Sequence, residues 1–408
     1  MSKIYLLKNT IQEYAWGSYT AINELLGKGP GDKTDKPQAE LWMGAHPKAP
    51  SLVKYKGKWV SLSEIIIENQ QNILGDEVNS KFDGKLPYLF KVLAAAKPLS
   101  IQAHPSLSQA KEGFENENRE GIPLNALSRN YKDDNHKPEC ICALTSFWAL
   151  NGFRMIPEIL SYMDIITPPS FNGVLDILRK EPNSSGLKIF FNSLMTMEKD
   201  KQKQIITGTV ENVLKLSKKD PVYNPVYKWI VKLNNEYPGD IGVFAPVLLN
   251  LICLEPGQAM FLPSGELHAY LEGVGIELMA NSDNVLRGGL TPKHVDLKEL
   301  LKVLNFRERE VEILLPVRKN NCESIYESRA DEFVLSVVKV SEKNDCSVFQ
   351  NRSVEIILCI EGNASVSNIH ANGDAVMLEK GTSVLIPASI PEYEINGNAT
   401  LYKASIPL

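Results

Sequence analysis

Cysteine is scarce. Six in 408 residues are too few for a disulfide framework. Four of them, Cys140, Cys142, Cys253 and Cys359, stand in apolar runs, which predicts small buried hydrophobes in a reducing compartment. Cys140-Ile-Cys142 has the look of a metal pair, but no second such pair exists, so the buried reading is favoured. Long hydrophobic runs are missing too. No uncharged stretch of about 18 residues occurs, which excludes a helical membrane span. The opening Met-Ser-Lys-Ile-Tyr-Leu-Leu-Lys has too short an apolar run for a signal peptide, so a cytoplasmic protein is expected. An excess of positive charge is lacking as well. With 44 Lys and Arg against 49 Asp and Glu, the net charge is −5, which argues against a nucleic-acid or anionic-membrane surface. No basic tail and no helix-turn-helix pattern is present. An anionic small molecule would need a local basic pocket.

Apolar content of 43% and charged content of 23% are ordinary for a globular chain, and the length predicts two or three domains. Residues 1–105 read as β-rich, with a polar loop at 27–37 and a short helix over 61–74. Residues 107–130 are polar and helix-like around 108–117, and 140–153 return to strand character. From about 155 to 237 the spacing is helical. Ile206, Val210, Val213 and Leu214 form one face, and Tyr227, Ile230 and Val231 continue the pattern. Strand character is expected again over 241–254 and on through His268 to Met279. A helix is expected from Thr291, with Leu297, Leu300, Leu301 and Leu304 at helical spacing. Residues 333–408 read as short strands.

The run Ser100-Ile-Gln-Ala-His104 alternates. In a strand, Ser100, Gln102 and His104 share one face while Ile101 and Ala103 take the other. A polar face next to the apolar segment Leu86–Leu99 needs partners, and a metal ion would supply one. Two further candidate ligands are Glu139, in Asn135-His-Lys-Pro-Glu139, and His268. The latter closes a segment with Gly257, Pro263 and Gly265 in the spacing Gly, five residues, Pro, one residue, Gly, two residues, His. That spacing resembles the second signature of the cupin barrel. Gly381 and Pro387 repeat the Gly257–Pro263 interval, but Glu392 falls where His268 would be. The predicted fold is mainly β with an α insertion: two cupin-like β-barrels (jelly rolls) plus a helical domain. The expected division is 1–153 and 240–318 for a catalytic barrel, 154–239 for the helical insertion, and 319–408 for a metal-free C-terminal barrel.

Gln102-Ala-His104-Pro, His136-Lys-Pro-Glu139 and Asn281-Ser-Asp-Asn-Val-Leu-Arg287-Gly-Gly together resemble the type I mannose-6-phosphate isomerase (phosphomannose isomerase) family. So do Gln12-Glu-Tyr-Ala-Trp16-Gly and Ala39-Glu-Leu-Trp42-Met-Gly-Ala-His46-Pro. The resemblance runs in order from about residue 5 to about residue 300. It implies one zinc ion held by Gln102, His104, Glu139 and His268. Spacing alone does not make Gln102 a ligand; the resemblance does. It also implies interconversion of mannose 6-phosphate and fructose 6-phosphate through an enediol or enediolate.

That chemistry needs charge stabilisation, a proton-transfer group, a phosphate grip and a dry site. Arg287, followed by two glycines, is the candidate for charge stabilisation; a surface salt bridge is its plainer reading. Glu277 and Lys137 are candidates for proton transfer, with His136 as an outsider, although Glu277 could equally orient a histidine. Ser100, Lys91 and Lys293 are candidates for the phosphate. Lys91 could instead be a structural ion pair, and Lys293 a solvated first-turn residue. Trp16 and Asp283 are expected at the sugar, although Trp16 could equally be core. His46, His136 and His294 are expected at the surface or behind the ligands. The competing class is a non-catalytic sugar-phosphate-binding bicupin, and a metal-dependent dioxygenase is disfavoured by Gln102 in place of a histidine. The expected partner is a small sugar phosphate, with no nucleic acid, membrane or obligate protein partner, and a monomeric chain.

Overall fold

The fold is organised by one long strand, His268–Ala280, which pairs with four others: Tyr88–Ala95, Ile101–Ala103, Glu139–Ala143 and Phe147–Phe153. The computed structural model describes residues 3–219, 224–341, 346–348, 352–370 and 375–408. Its strands form two sheets of ten and eleven strands, and the strand pairings are antiparallel. In the ten-stranded sheet the order along the main path is Leu249–Leu254, Phe147–Phe153, His268–Ala280, Tyr88–Ala95, Glu40–Gly44 and Thr10–Gln12. A bulge between Tyr270 and Glu272 inserts one residue and changes which face of the long strand points inward. His268 and Tyr270 therefore face the same cleft as Glu277 and Met279. Ile276 and Leu278 turn the other way, into a core shared with Cys142, Tyr326, Tyr402 and Ala404.

The eleven-stranded sheet contains the C-terminal strands, led by Glu355–Asn368 and Tyr393–Ser405. It also takes in Tyr5–Lys8, Leu52–Tyr55 and Lys58–Ser61. Tyr5 and Leu6 pair with Leu385 and Val384. This crosses the expected 1–153 boundary, because strand pairing follows space and not sequence. Gly257 and Gly381 both take left-handed backbone, at φ 86° and 85°, which glycine adopts without a Cβ clash. The two turns thus share their conformation as well as their spacing.

The helical region runs from Ile156–Ile166 to Pro225–Glu236. Its helices bury Ile159, Phe190, Ile206, Trp229 and Leu233 in one core, while Leu214 is exposed. Two expectations are corrected. Residues 241–248 are not strand but a 3-10 turn, Ile241–Phe244, and a short helix, Ala245–Leu248. Asp240 caps the first, with its side chain accepting from Gly242 N–H, and Pro246 suits the first turn of the second. The helix expected from Thr291 begins only at Leu297, after the Asp296 cap. Cys140, Cys142 and Cys359 are buried free thiols. Cys322 and Cys346 form a disulfide, which the low cysteine count did not predict. No helix among the described residues is long and apolar enough to cross a membrane.

Candidate metal centre and substrate cleft

Ile101–Ala103 lies between two strands. Gln102 is opposite His268 on one side and opposite Arg287 on the other. Residues directly opposite in an antiparallel pair share a face, so Gln102, His268 and Arg287 point into one cleft of about 450 Å³. His104 follows immediately after this strand, and Glu139 opens the next one, paired with Leu262 and Met279. The turn at Gly265 (φ 83°) ties the histidines together. Gly265 N–H donates to the His104 carbonyl at 2.8 Å, and the Glu266 carbonyl lies 2.9 Å from His268 Nδ1.

Both imidazoles are oriented the same way. His104 Nδ1 lies 2.7 Å from the Asn284 carbonyl, so each Nδ1 carries the proton that its carbonyl accepts. Each Nε2 then presents a lone pair. His104 Nε2 is buried and without a hydrogen-bond partner. It lies 3.2 Å from Glu139 Oε1, while His268 Nε2 lies 3.5 Å from Glu139 Oε2. The ligand atoms of His104, Glu139 and His268 all lie within 4.8 Å of one another. Lone pairs facing one another in a buried space call for a cation between them, and two imidazoles with a carboxylate are a donor set that suits zinc. Burial holds His104 near a pKa of about 4, so it is neutral and able to ligate at neutral pH. Burial works against the charge of Glu139, but nearby Lys137 is the largest of the opposing influences that lower its pKa well below the usual carboxylate value.

The other candidate residues spread over the same cleft. Ser100, Trp16, Lys91, Lys137, Glu277, Asp283, Arg287 and Lys293 all line it. Lys137 Nζ lies 3.0 Å from Glu139 Oε1. Lys91, a candidate for the phosphate, has its buried ammonium 2.9 Å from Glu277 and 3.7 Å from Glu40, as its plainer ion-pair reading had it. Burial raises the Glu277 pKa from its ordinary value, against the pull of Lys91. Arg287 and Lys293 differ from these lysines. Among the described residues neither forms an ion pair or a side-chain hydrogen bond. Burial lowers the pKa of both, and Arg287 lowers that of Lys293 further. Two neighbouring cations without ion pairs give this cleft a positive field that suits an anionic ligand. His136 is not among the cleft-lining residues: its Nε2 lies 2.5 Å from Glu332 of the C-terminal sheet region.

Residues 4–156 match the family described as phosphomannose isomerase type I, catalytic domain. Residues 172–249 match its helical insertion domain, and 323–406 match the cupin domain of mannose-6-phosphate isomerase. Mannose-6-phosphate isomerase from Escherichia coli (strain K12) is 39% identical over 398 residues, covering 97% of each chain. The chain belongs to the type I phosphomannose isomerase family. A crystal structure of a mutant phosphomannose isomerase from Salmonella typhimurium superposes with a TM-score of 0.90, at 37% identity and 100% coverage of both chains. A structure of mannose 6-phosphate isomerase described as holo and zinc bound superposes at 0.89, with 37% identity and 100% coverage of both.

Several residues of the cleft wall carry no signal in the sequence that marks them as such. Tyr14, Glu40, Trp42, His46, Lys48, Lys132, Tyr237 and Tyr270 also line the cleft. His46, expected at the surface or behind the ligands, is buried, with Nε2 3.7 Å from Asp283, and Lys48 Nζ lies 2.9 Å from the same carboxylate. Tyr270 donates its hydroxyl to Glu139 Oε2 at 3.3 Å. Trp42 Nε1 donates to Glu40 at 2.6 Å. An exception is Trp42, whose signal lay in the Glu40–Gly44 strand, where alternation places Glu40, Trp42 and Gly44 on one face.

Proposed function

We propose that this chain is a zinc-dependent aldose–ketose isomerase that interconverts mannose 6-phosphate and fructose 6-phosphate. One observation carries the reading: the ligand atoms of His104, Glu139 and His268 converge, and Glu139 and His268 line the same cleft as Arg287 and Lys293, two cations without an ion pair among the described residues. A sugar phosphate has a carbonyl end and a dianionic end, and this cleft has a complement for each.

Gln102, His104, Glu139 and His268 would hold the zinc, which would supply Lewis acidity for the substrate's carbonyl chemistry. Isomerisation moves one proton between C2 and C1, and the hydroxyl and carbonyl exchange places through an enediol. Atoms balance without any external oxidant or reductant. Glu277 is the proposed group that takes and returns this proton, because burial brings its pKa up from the ordinary carboxylate value. Lys91 holds that carboxylate in place at 2.9 Å. Lys137 is proposed to steady charge on the substrate oxygens from beside Glu139. Arg287 acts on the developing negative charge, and Lys293 and Ser100 grip the phosphate. Trp16 and Asp283 bound the sugar. His136 supports the Lys137–Glu139 segment through Glu332 from outside the cleft. The chain is proposed to work alone, as a monomer in the cytoplasm.

The test is direct. Mannose 6-phosphate incubated with the zinc-loaded chain should yield fructose 6-phosphate, and the reverse reaction should reach the same equilibrium mixture. Tight binding of either sugar phosphate without interconversion would support a non-catalytic binding protein instead.

A further inference from the structure

The helical insertion ends where the anion end of the cleft begins. We infer that Asp240, the last residue before Ile241–Phe244, is a positioning residue that holds the turn Leu290–Lys293 against the cleft. This rests on the isomerase reading above, in which Lys293 meets the phosphate.

Asp240 does more than cap its own 3-10 turn. Its Oδ1 accepts from Gly242 N–H at 2.7 Å, which is the local cap. The same oxygen accepts from Leu290 N–H at 2.9 Å, and Oδ2 accepts from Thr291 N–H at 3.3 Å. A carboxylate held by N–H donors from two segments fastens one to the other. Asp240 has no ion pair among the described residues, so these backbone groups are its partners.

The fastened turn is one that would not hold its shape unaided. Leu290 is left-handed, at φ 53°, a conformation that a residue with a branched side chain rarely adopts without support from its surroundings. The two segments also touch backbone to backbone. A Cβ on Gly242 would come 2.9 Å from Leu290 N, and one on Gly289 would come 3.2 Å from Gly242 Cα. From Thr291 the constraint passes on, because its Oγ1 accepts from Lys293 N–H at 3.1 Å. Arg287 does not depend on this contact, since strand pairing with Gln102 fixes it. The insertion thereby sets the geometry of the phosphate end while leaving the metal end to the sheet.

The experiment uses the full zinc-loaded chain with Asp240→Ala and Asp240→Asn. It reads kcat, KM for mannose 6-phosphate, the inhibition constant for inorganic phosphate, zinc content and melting temperature. Asp240→Ala should raise KM and the phosphate constant together by about tenfold, with kcat changed by less than about threefold and zinc content unchanged. Asp240→Asn keeps one carbonyl oxygen and should raise both constants by only about threefold. Wild-type constants in the alanine variant would overturn the inference. So would a loss of kcat in proportion to lost zinc in a variant that folds, which a merely structural role would produce. If Asp240→Ala does not fold, Asp240→Asn decides: raised constants support the inference and wild-type constants overturn it. Should the wild-type chain fail to interconvert the sugar phosphates, the isomerase reading falls. Inorganic phosphate binding by calorimetry then still distinguishes a turn held by Asp240 from one that is not.

Discussion

Gln102 and His268 stand directly opposite each other in antiparallel register, with Arg287 opposite Gln102 on its other flank. Three neighbouring strands thus deliver an amide, an imidazole and a guanidinium to one face. A slip of one residue in any of them would turn its side chain to the far side of the sheet. If Gln102 belongs to the zinc shell, Gln102→Ala should weaken zinc binding by about tenfold or more while leaving the melting temperature of the metal-free chain nearly unchanged. Competition with a chromogenic chelator measures this. Unaltered zinc affinity would remove Gln102 from the shell.

Arg287 has no anionic partner of its own among the described residues, so its removal should not unfold the chain. Arg287→Ala is expected to lower kcat by about 10²–10³-fold, the usual effect of losing a donor aimed at developing charge. Arg287→Lys should recover little, because an ammonium does not reproduce the planar fork of donors. Steady-state kinetics on both variants, with zinc content as the control, test the assignment. A KM effect alone would reassign Arg287 to phosphate binding.

Lys91 lies between two carboxylates, Glu277 at 2.9 Å and Glu40 at 3.7 Å, and all three residues are buried. Lys91→Met leaves both carboxylates without their cation. The expected loss is about 3–5 kcal/mol, as for other broken buried pairs. Adding Glu277→Leu should restore part of that stability while abolishing isomerisation. Chemical denaturation of the single and double variants gives the comparison.

His46 supplies a pH dependence. Burial lowers its pKa from 6.5 to about 4 despite nearby Asp283, so the folded chain binds this proton more weakly than the unfolded chain does. Between those two values the unfolded state takes up the proton first, and stability falls as pH falls through that window. From pH 7 to pH 5 the contribution lost is about 2 kcal/mol. Denaturation of the wild type and of His46→Gln at both pH values isolates it: the variant should lose less stability than the wild type by about that amount.

Patterns with a short period were legible in the sequence. The alternation through Ser100, Gln102 and His104, and the Gly257–His268 spacing, picked out the two histidines that converge with Glu139. Their local geometry is written within a dozen residues. Residues 241–248 misled because an apolar run buried on all sides has no periodicity to separate strand from helix. There, Asp240 and Pro246 settle the backbone. Lys91 was ambiguous for another reason. Its carboxylate partners are Glu40 and Glu277, one of them 186 residues away, and only the register of three strands brings them together. His46 and Asp283 are also far apart in the chain and meet only in the folded cleft. The capture of Tyr5–Lys8 by the C-terminal sheet was invisible for the same reason.

Zinc dependence tests the account most directly. Chelator-stripped chain, refilled stepwise with zinc and assayed on mannose 6-phosphate at each step, should regain activity in proportion to bound metal and level off at one zinc per chain. Full isomerase activity in the stripped chain, with metal analysis showing the site empty, would contradict it.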